Sequence, residues 1–108
     1  MLLVVQDGQG NAQTVAARGQ EFVTDNSGVI AQTNQSQILL PANNLRSGWI
    51  MQNNGLYPMT INEIGNSALT NSFVVPAGYM FPPVNFPLTT NQLNIAGTAG
   101  DAYTSRAW

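Results

Sequence analysis

The chain has no cysteine, no histidine and no lysine, and its 108 residues carry three arginines and five acids. Each absence removes a class of chemistry. Without Cys there are no disulfides or thiolate ligands, and without His there is no imidazole site, so zinc centres and Ser-His-Asp or Cys-His catalysis are excluded. A Walker loop or a Schiff base would need a Lys. The positive side chains, Arg18, Arg46 and Arg106, are too thinly spread to form a basic stripe, so nucleic acid is not an expected partner. No apolar run approaches a membrane span, so a membrane is not expected either. The start, Met1-Leu2-Leu3-Val4-Val5, is too short for a signal h-region and lacks a basic n-region, so the expectation is a soluble protein with no export signal of its own.

What stands in place of charge is amide and hydroxyl. Charged residues make up 7% of the chain, against roughly 25% in an average soluble domain. The sequence instead holds 13 Asn, 9 Gln, 9 Thr and 6 Ser, alongside 44% hydrophobic residues, which is enough for the core of one domain.

Helical periodicity is absent as well. Ten Gly and six Pro interrupt the chain, and the apolar residues fall in short bursts flanked by Asn, Gly, Ser and Pro. This predicts an all-β fold: a small two-sheet antiparallel β-sandwich, jelly-roll-like, with an extended N-terminal arm. Residues 1–36 have the lower apolar density, with turns at Asp7-Gly8-Gln9-Gly10-Asn11 and Asp25-Asn26-Ser27-Gly28 and weak strands at Thr14–Ala17 and Glu21–Val23. They read either as strands added to the sheet behind them or as an arm that docks on a partner.

Residues 37–108 read as the sandwich core. Ile38-Leu39-Leu40 ends at Pro41, and Trp49–Asn53 and Met59–Ile64 flank Asn53-Asn54-Gly55, predicting a hairpin, with Trp49, Met51 and Ile61 inward. Ser72–Val75 meets a turn at Pro76-Ala77-Gly78 before Tyr79-Met80-Phe81, and Pro82, Pro83 and Pro87 belong at an edge or in a loop. Leu93 and Ile95 are expected inward and Asn94 outward, with a turn at Gly97–Gly100 and a last strand over 102–108.

No candidate catalytic, cofactor or metal site emerges. Asp7–Asn11 lacks the later acidic ligands of a calcium loop. Glu21 and Glu63 would be the two carboxylates of a glycosidase, but Glu63 falls on a strand face where a surface or Arg partner suits it better. Among the aromatics, Trp49, Phe73 and Phe81 are expected in the core, and Tyr57 and Phe86 in loops beside Pro. Trp108, following Arg106 and Ala107, is expected to anchor on a neighbouring surface, because aromatic and Arg residues concentrate at interface centres. With the apolar start, this gives Leu2, Leu3, Val4, Val5, Arg106 and Trp108 as partner-binding candidates.

The segment Arg46-Ser47-Gly48-Trp49-Ile50-Met51-Gln52-Asn53-Asn54-Gly55, then Met59-Thr60-Ile61-Asn62, Phe73-Val74-Val75-Pro76-Ala77-Gly78 and Gly97-Thr98-Ala99-Gly100, resembles small β-sandwich virion structural proteins of tailed bacteriophages. The resemblance spans residues 46–108, and Asp7–Val15 is similar to the N-terminal segments of such proteins. It implies a capsid decoration (cement) protein that binds the major capsid protein on the virion surface, assembled in the host cytoplasm as a homo-oligomer, trimer or dimer. The alternative it leaves is a receptor- or carbohydrate-binding module of a head fibre or tail. A surface rich in Asn, Gln and Thr fits a permanent interface, since neutral hydrogen bonds avoid the desolvation of buried ions.

Overall fold

A computed structural model describes the backbone of the strands Leu2–Gln6 and Ala12–Ala16, and residues 22–83 and 89–108 in full. The strands are β1 (Leu2–Gln6), β2 (Ala12–Ala16), β3 (Thr24–Asp25), β4 (Gly28–Val29), β5 (Gln37–Leu40), β6 (Trp49–Asn53), β7 (Met59–Asn62), β8 (Phe73–Val75), β9 (Met80–Phe81), β10 (Leu93–Ala96) and β11 (Ala102–Ala107). No helix occurs among the described residues, and every strand pairing is antiparallel.

Two sheets form the sandwich. The front sheet has the order β3-β11-β6-β9, with β4 also paired to β11, and the back sheet has the order β5-β10-β7-β8. β3 and β4 lie along β11 in a single register, Asp25 opposite Arg106 and Val29 opposite Ala102. Between them the Ser27 hydroxyl replaces a main-chain acceptor, taking the Ser105 N–H at 2.9 Å. β1 and β2 pair only with each other, from Leu2 opposite Ala16 to Gln6 opposite Ala12. The expected turns at residues 7–11 lie outside the described residues, as do Pro87 and Phe86.

Alternation builds the core. Along β6 the residues Trp49, Met51 and Asn53 are buried while Ile50 and Gln52 are only partly so, as a period of two requires. Trp49, Met51, Phe81, Tyr103 and Ala107 from the front sheet join Leu39, Leu40, Met59, Ile61, Val75, Leu93 and Ile95 from the back sheet, with Ile30 from the segment before β5. The Trp49 and Phe81 rings meet at 5.7 Å between centroids. β5 carries one extra residue against β10 where the register shifts between Leu93 and Asn94, and this bulge lets Leu39 and Leu40 both be buried.

The structure corrects several expectations. β6 and β7 do not pair as a hairpin: β6 is in the front sheet and β7 in the back. The cause is Asn53, which is fully buried. Its Nδ2 donates to the Tyr57 and Val75 carbonyls at 2.8 and 2.9 Å, and its Oδ1 accepts the Gly55 N–H at 2.8 Å, so residues 54–58 cross between sheets. Gly55 does not take the positive φ of a tight turn; it leaves room for the Asp101 carboxyl, which a Cβ would strike. The β8–β9 connection also changes sheets, through a turn closed by Tyr79 N–H donating to Pro76 O at 3.0 Å, with Gly78 at φ 81°.

Phe73 is half exposed at the rim of the core, stacked 5.5 Å from Phe81, and Tyr57 is exposed beside Pro58. Phe22 and Val23 precede β3 and are exposed, so the strand there starts at Thr24. Asn94 does lie on the outer side of the back sheet, yet it is buried, because residues 63–72 fold over that face. Asn62, opposite it, accepts the N–H groups of Ile64 and Asn66 at 3.1 and 3.0 Å; Asn94 Nδ2 donates to Asn66 O at 2.7 Å, and Thr60 Oγ1 to Ala68 O at 2.6 Å.

Because Trp49 fills the space between the sheets, Trp49→Ala is expected to cost about 3–5 kcal/mol in chemical denaturation. A loss below about 1 kcal/mol, the level of a surface change, would mean that the core is not built on this ring.

Candidate functional site

No group of three potential metal-ligating residues comes together among the described residues. Asp101 accepts the Tyr57 N–H at 3.1 Å and holds the 54–58 crossover. Glu63 follows β7, with its carbonyl accepting the Thr89 hydroxyl at 3.3 Å and its Oε2 buried with no hydrogen-bond partner. Glu21 lies outside the described residues, so the carboxylate pair weighed above has no described geometry.

Arg46 is buried, and carbonyl oxygens receive its guanidinium: Pro41 O, Thr89 O and Asn91 O, at 2.6–3.2 Å. Burial pushes its pKa below the ordinary value. Its role is to tie the connection after β5 to the one before β10, which keeps it out of any surface chemistry.

The other described arginine is on a surface. Along β11 the side chains of Tyr103, Ser105 and Ala107 turn into the sandwich, so Ala102, Thr104 and Arg106 face out of the front sheet. Register places them in rows: Asp25, Arg106 and Ile50 form one, and Thr104, Gln52 and Met80 the next. Arg106 Nη1 donates to Asp25 Oδ1 at 2.6 Å and to Ser27 Oγ at 3.0 Å. The Asp25 carboxyl sits below its ordinary pKa because Ser27 donates to it through side chain and main chain, with the Arg106 charge a smaller contribution. Ile50, Gln52, Met80, Thr104 and Arg106 surround a hollow of about 220 Å³.

Trp108 extends this face. Its carbonyl accepts the N–H groups of Ser47 and Gly48, and its own N–H donates to Gly48 O at 3.0 Å, which continues the β6–β11 ladder by one residue. The indole lies over Gly48, where a Cβ would come within 2.6 Å of Cε2, and still keeps 41% of its surface exposed. The ring is thus held by its own chain on one side and open on the other.

Of the six partner-binding candidates, the structure brings Arg106 and Trp108 onto one face. It places Leu2, Leu3, Val4 and Val5 on β1, whose pairing with β2 is separate from both sheets; their side chains lie outside the described residues. Sequence reasoning missed Asp25, Ile50, Gln52, Met80 and Thr104. Alternation back from Trp108 was a signal for Thr104, but the rows that join β3, β6 and β9 to β11 are set by long-range register. Compared with models of protein families, with curated proteins and with solved structures, the chain matches none.

Gly48→Ala is expected to lift the indole from the sheet at a stability cost within about 1 kcal/mol, because the clash is with the end of a side chain. Acrylamide quenching of Trp108, read in a Trp49→Phe background, should rise; unchanged quenching would show that the ring does not rest on Gly48.

Proposed function

We propose that the chain is a non-enzymatic structural component of a bacteriophage virion, a capsid decoration protein that binds the major capsid protein and stabilises the shell. The observation that carries this reading is the surface: large apolar side chains stand exposed on β4, β5, β8 and β9 and in the connections between strands, while the described charges are few, and one of those, Arg46, is buried. Such a surface is built for a neutral contact. The sequence resemblance across residues 46–108 points the same way, and so does the strand order, which supports a jelly roll. With β3 and β4 taken as one run, the first run adjoins the last (β11), β5 adjoins β10, β6 adjoins β9 and β7 adjoins β8. Nested antiparallel pairs in this order support a jelly roll, an architecture common in viral capsid and lectin domains.

The mechanism is additive binding: each copy bridges adjacent capsomers, and its binding free energy adds to the resistance of the shell against internal pressure. A second reading, a carbohydrate- or receptor-binding module, draws on Tyr57 and Tyr79. Both are exposed, and both present their carbonyls to Asn53, at 2.8 Å to its side chain and 2.9 Å to its main-chain N–H. Binding to a glycan array with no binding to capsids would favour it.

The deciding experiment mixes the purified chain with undecorated capsids and locates it by electron microscopy; capsids that stay bare refute the decoration reading. Binding is expected to change less than about tenfold between about 50 and 500 mM salt, because there is little charge to screen, and a slope of orders of magnitude would refute a neutral interface. Deleting residues 1–20 is expected to leave the unfolding midpoint nearly unchanged and to weaken capsid or oligomer binding at least tenfold, about 1.4 kcal/mol. Unfolding of the shortened chain would make those residues part of the domain itself.

A further inference from the structure

The two sheets treat their outer faces differently. Residues 63–72 cover the middle of the back face, where Asn62 and Asn94 are buried and Ala68 is fully enclosed, and leave Ile38 and Val74 exposed on its two edge strands. The front face keeps Val29, Met80 and Trp108 exposed, and no described segment crosses it. Among the described residues its charges are one neighbouring pair, Arg106 and Asp25, on adjacent strands and both open to solvent at 44% and 65%.

A plus and a minus side by side on an otherwise neutral face are self-complementary. A two-fold axis between them sets each Arg106 against the Asp25 of the other copy, the reciprocal pattern of an isologous contact. Each carboxylate keeps its own Ser27 donors, so the second guanidinium finds the acceptor already oriented. The hollow among Ile50, Gln52, Met80 and Thr104 gives apolar side chains of the other copy a place to enter. Four strands about 4.8 Å apart and four rows about 6.8 Å apart make a face of roughly 20 by 25 Å, with β3 at its edge, so a contact centred on Asp25 and Arg106 covers part of this face on each copy. We propose that the front face takes a second copy of this chain, as a two-fold dimer centred on Arg106 and Asp25. This does not depend on the capsid reading.

The test uses the whole chain in sedimentation velocity and light scattering over a micromolar dilution series, with circular dichroism and a melting curve for each variant. The wild type is expected to be a dimer. Arg106→Glu makes the central pair doubly negative and Asp25→Arg makes it doubly positive, so each alone is expected to lose at least tenfold in dimer affinity. Mixed in equal amounts, the two should form a heterodimer, because one face is now negative and the other positive. Only a contact between chains produces that rescue, since neither variant regains its internal ion pair. Met80→Arg, at an exposed position outside the pair, is expected to dissociate the dimer without lowering the melting temperature.

A wild type that stays monomeric throughout, or an oligomer that neither charge variant weakens, overturns the proposal. So does a mixture of folded variants that remains monomeric. A monomer that still decorates capsids removes this inference and leaves the capsid reading standing; a dimer that leaves capsids bare does the reverse.

Discussion

The fold depends on satisfying main-chain groups at the crossovers between sheets in a chain that has almost no charge to use for the purpose. When a strand leaves one sheet for the other, the backbone between them has no ladder to join, and unpaired buried groups are costly. Here amides and one guanidinium supply the partners. Asn53 holds the 54–58 crossover and the Val75 carbonyl, Asn62 and Asn94 hold the loop over the back sheet, and Arg46 ties two connections through three carbonyls. Ser105, buried in the middle of β11, donates to Ile50 O at 3.1 Å. The abundance of Asn in the composition is thus partly structural, with side chains doing work that ladders do elsewhere.

This explains how much of the fold was legible in the sequence. Strand positions were readable wherever a burst of apolar residues met a turn residue, as at Ile38–Pro41, Trp49–Asn53, Phe73–Pro76 and the last strand, because these signals are local. Pairing was not. Asn53-Asn54-Gly55 carries the composition of a hairpin turn, but its first Asn is bound inward, and whether an Asn turns out or in is decided by strands far along the chain. Asn94 faces outward as alternation predicts, but its burial depends on residues 63–72 lying across that side of the sheet.

The candidate face was legible in proportion to how local its signals were. Arg106 and Trp108 stood out as an aromatic and a cation on one strand face, and the structure sets both on the outer face of the front sheet. Their companions Asp25, Ile50 and Met80 come from three other strands, so no window of sequence contains the surface. Gly48 is a seat for the indole, a role that only the paired strands reveal.

The loop across the back sheet also limits growth. Strands with bare faces on both sides can stack layer on layer without a natural end, which is the geometry of fibres. With residues 63–72 lying across the middle of the back face, stacking through that side is obstructed, and a nearly uncharged protein gains a steric guard against runaway polymerisation.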